Sequence, residues 1–321
     1  MLNSEYTRFD NMKEGTKYTQ PVLVTSMEGC IARNGNEYVK FKLSDGKSTI
    51  QANMFDFSCG ELELAGIGQG RVAEAEIVRR GSYFNIEEIH PSEDPDVSVD
   101  DFICKAPGNP EDMFEGIITM MANNVNMENE EEFKLWEVAD EILHIYKNEY
   151  MTSAAAKYIH HACKYGLLYH SYRMTVAAEK IAAVYPDINS GLVVIGAALH
   201  DIGKLREMET DELGETEYTP EGRLFGHAIL GVTMVNEVAE KMGCQCNMVE
   251  MLKHIIASHH GKCEYGACTV PALPEAVAVN MLDNLDAKMY QMEEVLETIE
   301  PGELSKKVYG LENSTVYKMP A

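Results

Sequence analysis

Residues 190–204 read SGLVVIGAALHDIGK. The apolar run is far shorter than the roughly 18–20 residues a membrane span needs. It reads instead as a helix over 190–200, ending on Leu199-His200-Asp201-Ile202-Gly203-Lys204. A histidine beside an aspartate at a helix end says little by itself; its company decides. His170 lies on an apolar-periodic segment at 167–185, and His227 opens another at 227–242. His259 and His260 close 249–258, and Asp283 sits inside 274–299. These segments, with 111–124 and 131–149, repeat at 3.6 residues and predict helices; most of 150–164 is expected to be helical too. Any one of these residues has a bland account, as a satisfied core histidine, a paired buried acid or a polar helix end. Independent bland accounts for all of them, beside His-Asp-Ile-Gly-Lys, are jointly improbable. Imidazoles and carboxylates carried by several helices of one bundle are how dinuclear metal sites are built.

Upstream the period changes to two. Val39-Lys40-Phe41-Lys42-Leu43 alternates apolar with basic residues, Asp45-Gly46 is a hairpin turn, and 50–54 alternates again. With 21–32, 71–79 and 82–89, five strands fall within about 75 residues, the size of a small OB-type barrel. Gly66-Ile67-Gly68-Gln69-Gly70 lacks a following Lys-Ser/Thr and is expected to be a loop between strands. The fold class is therefore multidomain: a tail (1–17), a small all-β barrel (18–92), an acidic linker (93–110), an all-α domain (111–300) and a C-terminal tail (301–321).

The 321 residues suit two domains. Lys plus Arg number 27 against 52 Asp plus Glu, a formal charge of −25 that repels nucleic acid at long range. The excess is uneven. Residues 18–92 carry seven basic and ten acidic side chains, whereas 93–321 carry 17 and 39. A nucleic-acid role must rest on a local patch or on bound cations. The polar N-terminus and the absence of a long apolar run point to the cytoplasm and away from a membrane. Eight scattered cysteines fit reduced thiols, although Cys244, Cys246, Cys263 and Cys268 could clasp a structural zinc.

The series His…His-Asp…His…His-His…Asp resembles the HD superfamily of metal-dependent phosphohydrolases. SAAAKYIHHACKYGLLYHS (153–171), EGRLFGHAILG (221–231), SHHG (258–261) and DNLDAK (283–288) resemble one branch closely, the YhaM-type 3′→5′ exoribonucleases, which place an OB-fold domain before the HD domain. The resemblance implies that His170, His200, Asp201 and Asp283 hold one divalent ion. Asp201 would bridge to a second ion bound by His227, His259 and His260, with His254 an alternative for one of the last two. Lys204 would face the substrate phosphate, and His160 and His161 would bind a phosphate or the terminal ribose, or cap a helix. Mixed imidazole and carboxylate donors suit manganese first, with iron, cobalt, zinc or nickel also compatible. Lys40 and Lys42 are candidates for tracking a strand along the barrel, with Tyr38, Phe55, Phe57, Tyr83 and Phe84 as aromatic candidates.

The implied activity is hydrolysis of single-stranded RNA, or short oligonucleotides, to nucleoside 5′-monophosphates. Two other readings stand beside it: an HD hydrolase of a small nucleotide (cyclic, dinucleotide or triphosphate), and a non-catalytic OB-type nucleic-acid-binding factor. A homo-oligomer is compatible with the sequence.

Overall fold

The computed structural model describes residues 6–156 and 163–320. The chain divides into two units, Met1–Lys105 with Asp211–Glu215, and Ala106–Thr210 with Thr216–Ala321. The boundary at Lys105 falls inside the expected linker.

In the first unit, β1 (Lys17–Ile31), β2 (Glu37–Ser44), β3 (Thr49–Phe55), β4 (Arg71–Arg80) and β5 (Tyr83–Pro91) close into a barrel in the order β1-β2-β3-β5-β4. The parallel β3–β5 pair closes it; the other neighbours are antiparallel. This is consistent with the OB type. The alternation read from the sequence sets the faces, because successive strand side chains point to opposite sides. Val39, Phe41 and Leu43 from β2 fill the interior with Ala73, Ala75 and Ile77 from β4. Asp45 fixes the β2–β3 turn, its Oδ1 accepting the N–H of Lys47 at 3.0 Å and of Ser48 at 2.8 Å. The glycines at 66–70 do form a loop, preceded by a short helix, α1 (Cys59–Leu64). A reciprocal capping box between Ser58 and Glu61 starts that helix.

Two expected irregular stretches are packed against this unit. Phe9 and Met12 are buried in the barrel core, so the N-terminal stretch is not a free tail. Phe102, expected in the linker, is buried beside Leu23, and the Ser44 hydroxyl donates to its carbonyl at 2.6 Å.

The second unit is helical: α2 (Pro110–Asn124), α3 (Glu130–Ile145), α4 (Lys147–Thr152), α5 (Gly166–Val184), α6 (Ser190–Leu199), α7 (Lys204–Glu207), α8 (Pro220–Met242), α9 (Asn247–Ser258) and α10 (Pro274–Thr298). A small hairpin, β6 (Met208–Thr210) with β7 (Thr216–Tyr218), precedes α8. Every residue of α6 from Gly191 to Leu199 is buried, which is why its sequence is apolar all round. The Tyr150 hydroxyl donates to the Ala198 carbonyl at 2.7 Å, tying α4 to the end of α6.

Three helical expectations need correction. Residues 131–149 are two helices, broken at Tyr146. Of 150–164, only the end of α4 is helical among the described residues. The segment expected from His227 begins at Pro220 and is interrupted at Gly226, whose φ of 70° is outside the helical range. The C-terminal stretch is also no free tail: Leu311 and Val316 are buried, and Ser305 N–H donates to Val316 O at 2.8 Å. Among the described residues, no helix is long and apolar enough to cross a membrane.

Candidate metal centre

Two helix ends and the interiors of three further helices converge on one point. α5 brings His170, the turn after α6 brings His200 and Asp201, α8 brings His227, the end of α9 brings His259 and His260, and α10 brings Asp283. Two groups of ligand atoms, each lying within 4.8 Å of one another, result: His170 with His200 and Asp201, and His227 with His259 and His260.

Asp201 faces both groups. Its Oδ2 lies 3.3 Å from His200 Nε2 and 3.8 Å from His170 Nε2. Its Oδ1 lies 3.5 Å from His227 Nε2 and 3.6 Å from His259 Nε2. Asp283 Oδ1 is 3.4 Å from His170 Nε2, and its Oδ2 is 3.9 Å from His260 Nδ1. Gly203 permits this approach: a Cβ there would meet the His227 carbonyl oxygen at 1.9 Å, so the His-Asp-Ile-Gly-Lys turn packs directly on the start of the His227 helix.

The rings are held from behind. His200 Nδ1 donates to the Ala197 carbonyl at 2.8 Å and His259 Nδ1 to the Ile256 carbonyl at 2.6 Å. A carbonyl only accepts, so both rings carry the proton on Nδ1 and turn the Nε2 lone pair inward. Carboxylates play the same part for two further rings, Glu207 for His227 Nδ1 at 3.0 Å and Asp286 for His170 Nδ1 at 2.7 Å.

The charges follow the packing. Burial, then the neighbouring His200 and His260, keeps His259 far below its ordinary pKa, so it stays neutral. His170 resists burial through its bonds to Asp283 and Asp286, which raise its pKa to about 9. Burial would raise Asp201, but Lys204 and His200 hold its carboxyl well below the usual range. Lys204 Nζ lies 2.7 Å from Asp201 Oδ2.

Asp201 Oδ1 is buried with no hydrogen-bond donor. An orphaned carboxylate oxygen is costly in a protein interior unless a cation takes its place. Facing inward imidazole nitrogens, it has the donor chemistry of a first-row divalent ion, so the residues present fit one.

Residues 167–288 match the HD domain family. The 3′-5′ exoribonucleases YhaM of Bacillus velezensis and Bacillus subtilis are each 33% identical to this chain, with 95% of both chains covered. That of Halalkalibacterium halodurans is 32% identical over 92% of this chain and 91% of its own. The chain belongs to the YhaM 3′-5′ exoribonuclease family.

All seven residues singled out as ligands lie inside the HD match. Four of them, His170, Asp201, His260 and Asp283, line a cleft of about 300 Å³ together with Lys204. His254 is not among the grouped ligand atoms; its Nε2 accepts the Ala272 N–H at 2.9 Å and fixes a loop. His160 and His161 lie outside the described residues. Lys40 and Lys42 are in the barrel unit, where Lys42 is ion-paired with Glu215. The cysteines do not gather. Cys244 and Cys246 precede α9 while Cys263 and Cys268 follow it, and twelve helical residues separate the pairs by about 18 Å.

Glu207 and Asp286 were missing from the sequence reading. Asp286 had a signal, since position i+3 from Asp283 shares a helix face. Glu207 had none, because it meets His227 only through the turn after α6.

Proposed function

We propose that this chain is a metal-dependent 3′→5′ exoribonuclease that hydrolyses single-stranded RNA to nucleoside 5′-monophosphates, using two divalent ions. The observation that carries the reading is Asp201, one carboxylate with an oxygen aimed at each of two histidine groups. In this reading His170, His200, Asp201 and Asp283 hold one ion, manganese first among the candidates, and Asp201, His227, His259 and His260 hold the other. The ions, when bound, supply activation of a water at phosphorus and neutralisation of the phosphodiester's charge.

The chain's own residues supply the rest. Neutral His259 offers a lone pair rather than a proton. Lys204, kept protonated against burial by Asp201, sets a fixed positive charge on the wall of the cleft, where it complements a phosphoryl oxygen. The barrel would hold the strand. Tyr38 and Phe55 sit side by side with ring centroids 5.6 Å apart, Phe55 about half exposed, as bases require for stacking. We place the protein in the cytoplasm, where cysteine thiols stay reduced.

The test is incubation with Mn²⁺ and a 5′-labelled single-stranded RNA, beside a panel of cyclic nucleotides, dinucleotides and triphosphates. A ladder shortening from the 3′ end is expected. Turnover of the small nucleotides alone would replace this reading with a small-nucleotide hydrolase, and no turnover of either with a binding factor.

A further inference from the structure

The cleft beside the metal centre has two lysines on its wall, Lys204 deep inside and Lys288 on α10. Lys204 is engaged by Asp201. Lys288 is engaged by Glu312, with Nζ 2.8 Å from Oε1, and both side chains remain open to solvent. Glu312 belongs to the C-terminal stretch that folds back on α10. Its backbone makes a hairpin, with Leu304 bridged to Tyr317 and Val308 to Ser314. Gly310 packs against α10, where a Cβ would meet Gln291 Oε1 at 1.8 Å unless that flexible side chain moved. Gly310 itself lines the cleft.

The turn at the tip is unusual in its residues. Ser314 N–H donates to Leu311 O at 2.9 Å, and the two residues between, Glu312 and Asn313, have φ of 57° and 60°. Two successive positive φ values are the geometry of a type I′ turn, which favours Asn, Asp and Gly. Asn313 suits it. Glu312 does not, because a left-handed backbone crowds its Cβ. A residue held in a sparsely populated backbone region directs attention to the side chain it positions. Here that side chain is a carboxylate presented to a lysine on the rim of a phosphodiester-cleaving cleft.

We propose that Lys288 is a second phosphate-holding residue of the cleft, and that Glu312 is an intramolecular competitor for it. The hairpin carboxylate covers the lysine until an RNA phosphate displaces it. The C-terminal segment thereby sets how tightly the cleft takes its polymer substrate, and an anion too weak to displace Glu312 is excluded. The inference rests on the RNA reading above.

Binding of a 5′-labelled single-stranded RNA is measured by fluorescence anisotropy in EDTA, and KM and kcat with Mn²⁺. Lys288→Gln is expected to raise Kd and KM about five- to tenfold, to leave kcat within about twofold, and to flatten the salt slope by about 0.7. Glu312→Asn keeps a residue that tolerates the turn while removing the charge. It is expected to lower Kd about two- to fivefold, the worth of an exposed ion pair, with no loss of Tm. In the double variant, Glu312→Asn has no further effect, because its target is gone. The proposal is overturned if Glu312→Asn weakens binding as Lys288→Gln does, since the pair would then only fasten the hairpin. It is also overturned if Lys288→Gln binds like the wild type. A wild-type protein that binds with the expected order of variants but never shortens RNA would overturn the exonuclease reading and leave this one standing.

Discussion

The metal centre and the outer face of the barrel place their polar groups under opposite conditions. His170, His200, Asp201 and His259 are each no more than 3% exposed. Each of the three rings has a stated partner behind it; His200 and His259 turn a lone pair inward, and His170 meets a carboxylate at each nitrogen. On β2 and β3, by contrast, Lys40, Lys42, Tyr38 and Phe55 stand on a surface where water can satisfy any arrangement. Buried polar atoms are costly unless matched, so few sequences keep such a cluster. Exposed ones cost little in any order. The first region therefore constrains its chemistry through the fold, and the second leaves it to whatever binds.

The sharpest way to break the contrast is Asp201→Ala. Both groups lose their shared carboxylate, so turnover of labelled RNA should fall by about 10³-fold or more. Metal content, read by mass spectrometry, should fall with it. A variant with full occupancy and normal turnover would mean that Asp201 is an ordinary buried acid.

A smaller effect is expected one layer out. Glu207 accepts from both the backbone N–H and Nδ1 of His227, at 3.1 and 3.0 Å. Removing a partner that orients a ligand ring costs about 10–100-fold in metal affinity. Glu207→Ala should shift a Mn²⁺ titration by that factor while far-UV circular dichroism stays unchanged. An unshifted titration would confine the functional set to the ligands themselves.

What the sequence disclosed follows the same division. The alternation in β2 and β4 and the all-apolar α6 were readable because burial imposes a period. The seven inward residues were readable because histidines and acids are rare companions on apolar helices. Glu207 was not, since its role depends on a turn geometry that no spacing encodes. The packing of Phe9, Phe102 and Leu311 was also hidden: a single apolar residue in a polar stretch has no period to betray it. The Lys42–Glu215 pair was unreadable for a further reason, as its partners are far apart in sequence and a single partly buried ion pair leaves no compositional mark.

On the barrel the stakes are lower. Phe55→Ala removes one exposed ring of the Tyr38–Phe55 pair. Base–aromatic stacking is worth about 1–3 kcal/mol, and a half-exposed ring belongs at the low end, so RNA binding should weaken about fivefold. Turnover of a saturating dinucleotide should be unchanged. Equal loss on both substrates would mean that this ring supports the fold rather than the strand.

The smallest effect separates two lysines that the sequence made equivalent. Lys40 and Lys42 alternate with core residues on β2 and so share its outer face. Lys42 is held by Glu215, whereas Lys40 has no ion pair among the described residues. A lysine already neutralised by a carboxylate releases no counterion from RNA unless it changes partner. Each phosphate contact on a single strand contributes about −0.7 to the slope of log affinity against log salt. Lys40→Ala should therefore flatten that slope by about 0.7, Lys42→Ala should leave it nearly unchanged, and Glu215→Gln should steepen it by about 0.7 as Lys42 is freed. The measurement is a titration of RNA binding between about 50 and 200 mM salt in the Asp201→Ala background, which cannot cut. Equal flattening by both lysine variants would show that Lys42 exchanges Glu215 for phosphate and that the face works as one track. No flattening by either would show that the strand does not cross it, leaving the aromatic pair to account for the barrel's part.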